Sequence, residues 1–188
     1  MNKIIKRLFT PLAVFAMALG VSISVNNHKE EVGASAATYS HTISSKTWSA
    51  DGTEDLSGIE WTANATGAGY WGYTGEKGQQ FGSAKNPASA LSLSTSDFTG
   101  TITSISVSTS GASGVNATLS VSVGGVVYSP SPVSITATNT SYTFTGSSAG
   151  QVVISWVNNS SAALYLKTLD VTYEEVSQEF GLLDHITL

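Results

Sequence analysis

The stretch Ser161–Glu175, SAALYLKTLDVTYEE, constrains this chain more than any other. Leu164 and Leu166 alternate with polar residues, and then Leu169, Val171 and Tyr173 alternate on the opposite parity. A period of two that slips by one residue is the mark of a β-bulge, because one extra residue turns every later side chain to the other face. The slip falls at Lys167-Thr168. The same spacing occurs in Ile102-Thr103-Ser104-Ile105-Ser106-Val107, where Ile102 is followed by Ile105 and Val107. Two strands of one design predict a twisted antiparallel β-domain against which the rest of the chain packs.

The remaining sequence keeps to that plan. Ile59, Trp61 and Ala63 share one face of Gly58–Thr66. Leu91 and Leu93 do so in Ala90–Thr95, and Val152, Ile154 and Trp156 in Gln151–Val157. Leu119, Val121 and Val123 lead into Gly124-Gly125, a two-residue hairpin signal, and the chain returns through Val126–Tyr128. Pro130 and Pro132 mark a connection, and Ser134–Ala137 and Tyr142–Thr145 read as short strands. Tyr39–Trp48 reads as a first strand, Asp51–Asp55 as an acidic turn, and Gly67–Gly82 as a long irregular loop. Turn signals about every ten residues, with charged residues only 11% of the chain, predict an all-β fold, an antiparallel β-sandwich or jelly roll.

Met1–Ala36 has the parts of a secretory signal. Lys3, Lys6 and Arg7 precede an apolar run from Leu8 to about Val25, and Ala34-Ser35-Ala36 is an A-x-A cleavage site. The expected organisation is a signal peptide over 1–36, a β-sandwich over 37–175 and a tail over 176–188. The product is expected to be secreted, extracellular or surface-associated, with no membrane segment after cleavage. Beyond the leader there are four lysines, no arginine and eleven carboxylates, a net charge near −7. Such a surface repels phosphate, which argues against nucleic acid as a partner. The chain has no cysteine, so neither a disulfide framework nor a thiolate site is available.

With these strands in view, Tyr70–Glu175 resembles a family of β-sandwich accessory modules of secreted and surface proteins from Firmicutes and related bacteria. The likeness is carried by Phe81-Gly82-Ser83 with Pro87 and a Leu-Ser-Leu strand, the Ile-x-x-Ile-x-Val strand, the Val-x-Val-Gly-Gly hairpin and the closing strand through Lys167 and Tyr173. The resemblance implies a module that accompanies other extracellular parts and is not itself the catalyst.

The functional residues are sought where aromatic and polar side chains coincide. In GAGYWGYTGEKGQQFG, Tyr70, Trp71 and Tyr73 could stack on the apolar CH face of a sugar, while Glu76 and Gln79 would hydrogen-bond its hydroxyl rim. Aromatics beside small residues also close the end of a sandwich core, so both roles stand open for this loop. Asp51 and Asp55 are the candidate ligands for a structural Ca²⁺, an ion that takes oxygen donors; no other cofactor is expected. Catalysis is not expected, since His41 and His185 sit near opposite ends and no Gly-x-Ser-x-Gly elbow occurs. The chain therefore reads as a non-catalytic binding module, with an extracellular polysaccharide or cell-wall glycan as its partner. The alternatives are a structural or adhesive domain with a surface-protein partner, and a glycoside hydrolase using two carboxylates such as Glu60 and Glu76.

Overall fold

The computed structural model describes residues 35–175. Most of the predicted leader and the whole tail over 176–188 lie outside the described residues. The strands in chain order are β1 (Ser35–Thr42), β2 (Gly52–Leu56), β3 (Ile59–Thr66), β4 (Trp71–Thr74), β5 (Gly78–Phe81), β6 (Ala90–Thr95) and β7 (Gly100–Gly111). There follow β8 (Ala117–Val123), β9 (Val126–Val127), β10 (Val133–Ser134), β11 (Thr140–Ser148), β12 (Val152–Asn158) and β13 (Leu164–Glu175). All pairings are antiparallel. Sheet A runs β11-β7-β13-β5-β4 with β1 added to β13, and sheet B runs β10-β8-β12-β6-β3-β2 with β9 added to β8. The expected all-β sandwich is what forms.

The two strands with slipped periodicity are partners. In the β7–β13 ladder Leu166 faces Thr109 and Thr168 faces Ser108, which leaves Lys167 unpaired on β13. Near the other end Thr172 faces Ser104 and Tyr173 faces Ile102, which leaves Thr103 unpaired on β7. Each strand thus bulges once against the other, and the two slips keep both apolar sets turned inward. Ile102, Ile105, Val107, Leu164, Leu166, Leu169 and Val171 are all fully buried.

The Lys167 bulge also divides the other edge of β13. Leu164–Leu166 pair with β5, and Thr168–Glu175 pair with β1. At the division Ile43 N–H donates to the Lys167 carbonyl at 2.9 Å, so the chain leaving β1 turns away where β5 begins.

The core between the sheets holds Trp48, Trp61, Trp156, Phe81 and Phe144 at 1% exposure or less. Burial of each such side chain contributes on the order of 1.5–3 kcal/mol, so these rings dominate the packing. The outward parity of sheet B carries small residues: Asn64, Ser92, Ser155 and Ser120 lie side by side across β3, β6, β12 and β8.

Three segments differ from the expectation. Asp51–Asp55 is not a turn; Gly52–Leu56 pairs with β3, and the reversal falls at Ser57-Gly58, both in the left-handed region. The first strand ends at Thr42, not Trp48, because Trp48 is drawn into the core. Gly67–Gly82 is not one irregular loop, since it contains the β4–β5 hairpin at the edge of sheet A.

A tyrosine-lined cleft as the candidate functional site

The β4–β5 hairpin builds the site. β4 alternates Gly72 with large residues, so one face of the hairpin presents Trp71, Tyr73, Gln79 and Phe81 and the other presents Gly72 and Gln80. Trp71 turns inward and meets Phe81 edge-on with ring centroids 5.2 Å apart, and Tyr73 packs against the same core. The outer face is left to small residues.

That vacancy is filled by Tyr70. A Cβ on Gly72 would stand 2.6 Å from Tyr70 Cε1, so only glycine at 72 lets the tyrosine ring lie across the strand. Tyr70 is nonetheless 48% exposed. The turn of the hairpin is held by Thr74 Oγ1, which accepts from Lys77 N–H at 3.2 Å. Gly78 closes it with φ +84°, and a Cβ there would fall on the Leu166 carbonyl.

The pairing register then sets a row across the outer face of sheet A: Gly72 faces Gln80, Gln80 faces Tyr165 and Tyr165 faces Ser110. Gln80 Nε2 donates to the Gly82 carbonyl at 2.9 Å, which fixes the amide and leaves its oxygen as an acceptor. Burial pushes the Tyr165 phenol above its ordinary pKa, and the neighbouring Tyr70 hydroxyl adds a smaller contribution. Lys77 reaches over from the hairpin turn, with Nζ 5.0 Å from the Tyr165 ring centroid. Its ammonium donates to the Gly111 carbonyl at 3.2 Å and the Ala137 carbonyl at 3.0 Å.

Beyond Tyr165 the row opens into a cleft of about 390 Å³, walled by Gln80, Ser83, Ser113, Ser161, Ala163 and Tyr165 among others. It offers an aromatic ring, an amide and hydroxyls around a floor of small residues. That combination suits a ligand with apolar faces and a polar rim.

The residues named from the sequence are distributed differently. Tyr70 stands beside the cleft, whereas Trp71 and Tyr73 face the core. Glu76 is exposed at the hairpin turn. Gln79 is fully buried: its oxygen accepts from Thr47 N–H at 2.8 Å and Trp48 N–H at 3.1 Å, and its nitrogen donates to the Trp48 carbonyl at 3.0 Å. Every bonding position of that amide that matters is taken by backbone, and the glutamine that faces outward is Gln80. Tyr165, Gln80 and Lys77 escaped the sequence reading. Tyr165 carried a signal, since it occupies the parity opposite to Leu164 and Leu166.

Asp51 and Asp55 do not converge. Asp51 Oδ1 accepts from Ala65 N–H at 2.7 Å and Asp55 Oδ1 from Gly58 N–H at 2.9 Å, and four extended residues separate the two by about 13 Å. Among the described residues no group of three or more His, Asp or Glu side chains could hold a metal ion. Glu60 and Glu76 belong to different sheets, Glu60 on the outer parity of β3 in sheet B and Glu76 in the β4–β5 turn of sheet A, so they do not form a pair across one site. His41 Nδ1 lies 2.8 Å from Ser57 Oγ, and burial lowers its pKa against a smaller raising effect of Asp55.

The fold and this cleft define the class: a two-sheet antiparallel β-sandwich with an aromatic-lined cleft on one outer face. No protein-family model matches the chain, and no curated protein sequence matches it. Solved structures similar to it include the carbohydrate-binding module CBM36 in complex with calcium and xylotriose, at 14% identity and a TM-score of 0.37 over 71% of this chain and 98% of that one. They also include the low-affinity xylan-binding module CBM86 from Roseburia intestinalis, at 10% identity and a TM-score of 0.32, covering 75% of this chain and 96% of that one. A family two carbohydrate esterase from Cellvibrio japonicus shares 12% identity at a TM-score of 0.32; the match covers 76% of this chain and only 36% of the esterase.

Proposed function

We propose that this chain is a secreted, non-catalytic glycan-binding module whose site is the cleft beside the β4–β5 hairpin. The observation that carries the reading is the arrangement of Tyr70 and Tyr165 on one outer face, with the Gln80 amide oxygen between them and an open cleft beyond. Tyrosine rings supply apolar contact area at little cost in side-chain entropy. The amide and the serine hydroxyls supply the hydrogen bonds that select among sugar hydroxyls. No redistribution of core residues is needed for binding, because every group named already faces outward.

Titration calorimetry of the purified protein against soluble plant and bacterial polysaccharides tests the reading. Saturable binding is expected for at least one polymer, weakened about tenfold by Tyr165→Ala, a loss of roughly 1.4 kcal/mol. Tyr70→Ala is expected to weaken it as well, with the melting temperature unchanged because that ring is half-exposed. A panel in which no polymer binds, or in which both variants bind as the parent does, overturns the assignment of the site.

A further inference from the structure

The lysines of the sandwich gather at one end, beside the cleft, where they outnumber the carboxylates Glu76 and Asp51. The described residues hold four lysines, Lys46, Lys77, Lys85 and Lys167, and each is tied to the surroundings of the β4–β5 hairpin. Lys77 stands in the hairpin turn. Lys167 Nζ donates to the Gly75 carbonyl at 2.8 Å. Lys46 precedes Thr47 and Trp48, whose amides bond Gln79 of β5. Lys85 lies between Ser83 and Asn86, which bond each other in the loop leaving β5.

Five of the nine described carboxylates gather at the far end. Asp55 faces Glu60 across β2 and β3, Glu60 N–H donates to Asp97, and Glu174 and Glu175 face Thr101 and Gly100 at the start of β7. The cleft is reached at the other end of β7, eleven residues and about 36 Å along the strand from Gly100. Among the described residues no charged side chain lines the cleft, and the nearby cation is the Lys77 ammonium that stands over Tyr165.

Lys77 is the cation placed to act on a ligand. Its ammonium has three protons, and among the described residues its two hydrogen bonds go to neutral carbonyls, so neither bond cancels its charge. It stands over Tyr165, which itself lines the cleft. Beside Tyr165 in the same cross-strand row, Ser110 Oγ is buried without a hydrogen-bond partner among the described residues. A ligand bearing carboxylate would offer the Lys77 ammonium an acceptor that carries negative charge.

We infer that the cleft takes an acidic glycan, a polymer whose sugars carry a carboxylate, and that Lys77 reads that charge. The inference rests on the glycan-binding reading above and specifies its ligand. The carboxylate could come from a uronic acid or from the lactyl group of a cell-wall amino sugar, and the shared chemistry is an anion held a few ångströms from a sugar ring.

The test compares three probes on the purified protein: oligogalacturonate, the same oligomer with its carboxylates reduced to hydroxymethyl groups, and cell-wall glycan strands freed of their peptides. Oligogalacturonate or the cell-wall strands should bind at least roughly fivefold tighter than the reduced oligomer, as an ion pair that is partly shielded from solvent would give, and the preferred one identifies the source of the carboxylate. The preference should shrink as salt is raised. Lys77→Met, which keeps the apolar stem, should abolish the preference, while Lys77→Arg should retain it. If Lys77→Met proves unstable, the salt dependence of the parent decides alone. Equal binding of the oligomer and its reduced form, independent of salt, overturns the acidic-glycan inference and leaves the glycan site standing. Binding of no probe here, and of no polymer in the wider panel, overturns both.

Discussion

Lys167 Nζ lies 2.8 Å from the carbonyl oxygen of Gly75, with the Ile43 carbonyl 3.4 Å away on its other side. The residue that β13 leaves unpaired is therefore the one that ties the hairpin turn to the chain leaving β1. A bulge re-aims its side chain, and here the re-aimed group is an ammonium that satisfies two carbonyls no sheet partner reaches. Lys167→Met is expected to lower stability by about 1.5–3 kcal/mol, the range for a hydrogen bond made by a charged donor. Urea unfolding checks this, and an unchanged midpoint would show that the bulge holds without its lysine.

Gln79 and Gln80 are adjacent, yet their roles are separated by the pleat. Gln79→Ala removes the acceptor for Thr47 and Trp48 N–H and leaves buried donors unpaired, a loss of about 2–3 kcal/mol. Gln80→Ala is expected to stay within about 0.5 kcal/mol of the parent in urea and to weaken glycan binding instead. The pair of measurements, stability and affinity, should move in opposite patterns for the two variants. Matching patterns would contradict the assignment of inward and outward faces.

How much of this was legible in the sequence follows from what each signal depends on. The slips at Lys167 and at Thr103 were readable because a change of parity is local, but that the two strands pair with each other is a long-range fact. Trp61 and Trp156 could be placed in the core from alternation alone. The β4–β5 hairpin could not, because alternating glycines in Gly67–Gly82 erase the apolar period by which strands are recognised. Once that hairpin was missed, its register was missed too, and a shift of one residue exchanges Gln79 for Gln80. Asp51–Asp55 misled for a related reason: carboxylates favour turns, yet here the reversal is made two residues later, by Ser57 and Gly58, with Asp55 bonding across it.

Gly72 tests whether the cleft depends on the placement of Tyr70. A methyl group at 72 would meet the tyrosine ring 2.6 Å from Cε1, and the ring, being half-exposed, can swing away. Gly72→Ala is thus expected to change stability by less than about 1 kcal/mol while weakening glycan binding about as much as Tyr70→Ala does. Combining the two substitutions should add nothing further, since both remove the same ring from the same place. Full additivity of the two losses in calorimetry would argue that Gly72 acts elsewhere.

Tyr39 joins the two sheets: its ring belongs to β1 in sheet A, and its hydroxyl donates to the Leu56 carbonyl of sheet B at 2.7 Å. Burial, with added repulsion from the Asp55 and Asp170 carboxylates, raises its pKa to about 12, against an unfolded value near 10. A folded-state pKa above the unfolded one means that the unfolded chain loses its proton first. The contribution of the neutral phenol to stability is then complete below about pH 10 and is lost as pH rises through about 12. Tyr39→Phe removes both the hydrogen bond and the titration. At pH 8 the variant should be less stable by about 1 kcal/mol. Between about pH 10 and 12 the parent should lose stability more steeply than the variant, so the gap closes and the two curves cross before the folded pKa is reached. Tyr128 and Tyr165, whose phenols are also raised by burial, contribute to the alkaline limb in both proteins and cancel in the difference. Urea unfolding at closely spaced pH values gives that difference directly. Curves that stay parallel from pH 8 to pH 12 would mean that Tyr39 ionises as readily in the folded chain as in the unfolded one, and that the bond between the sheets does not hold its proton.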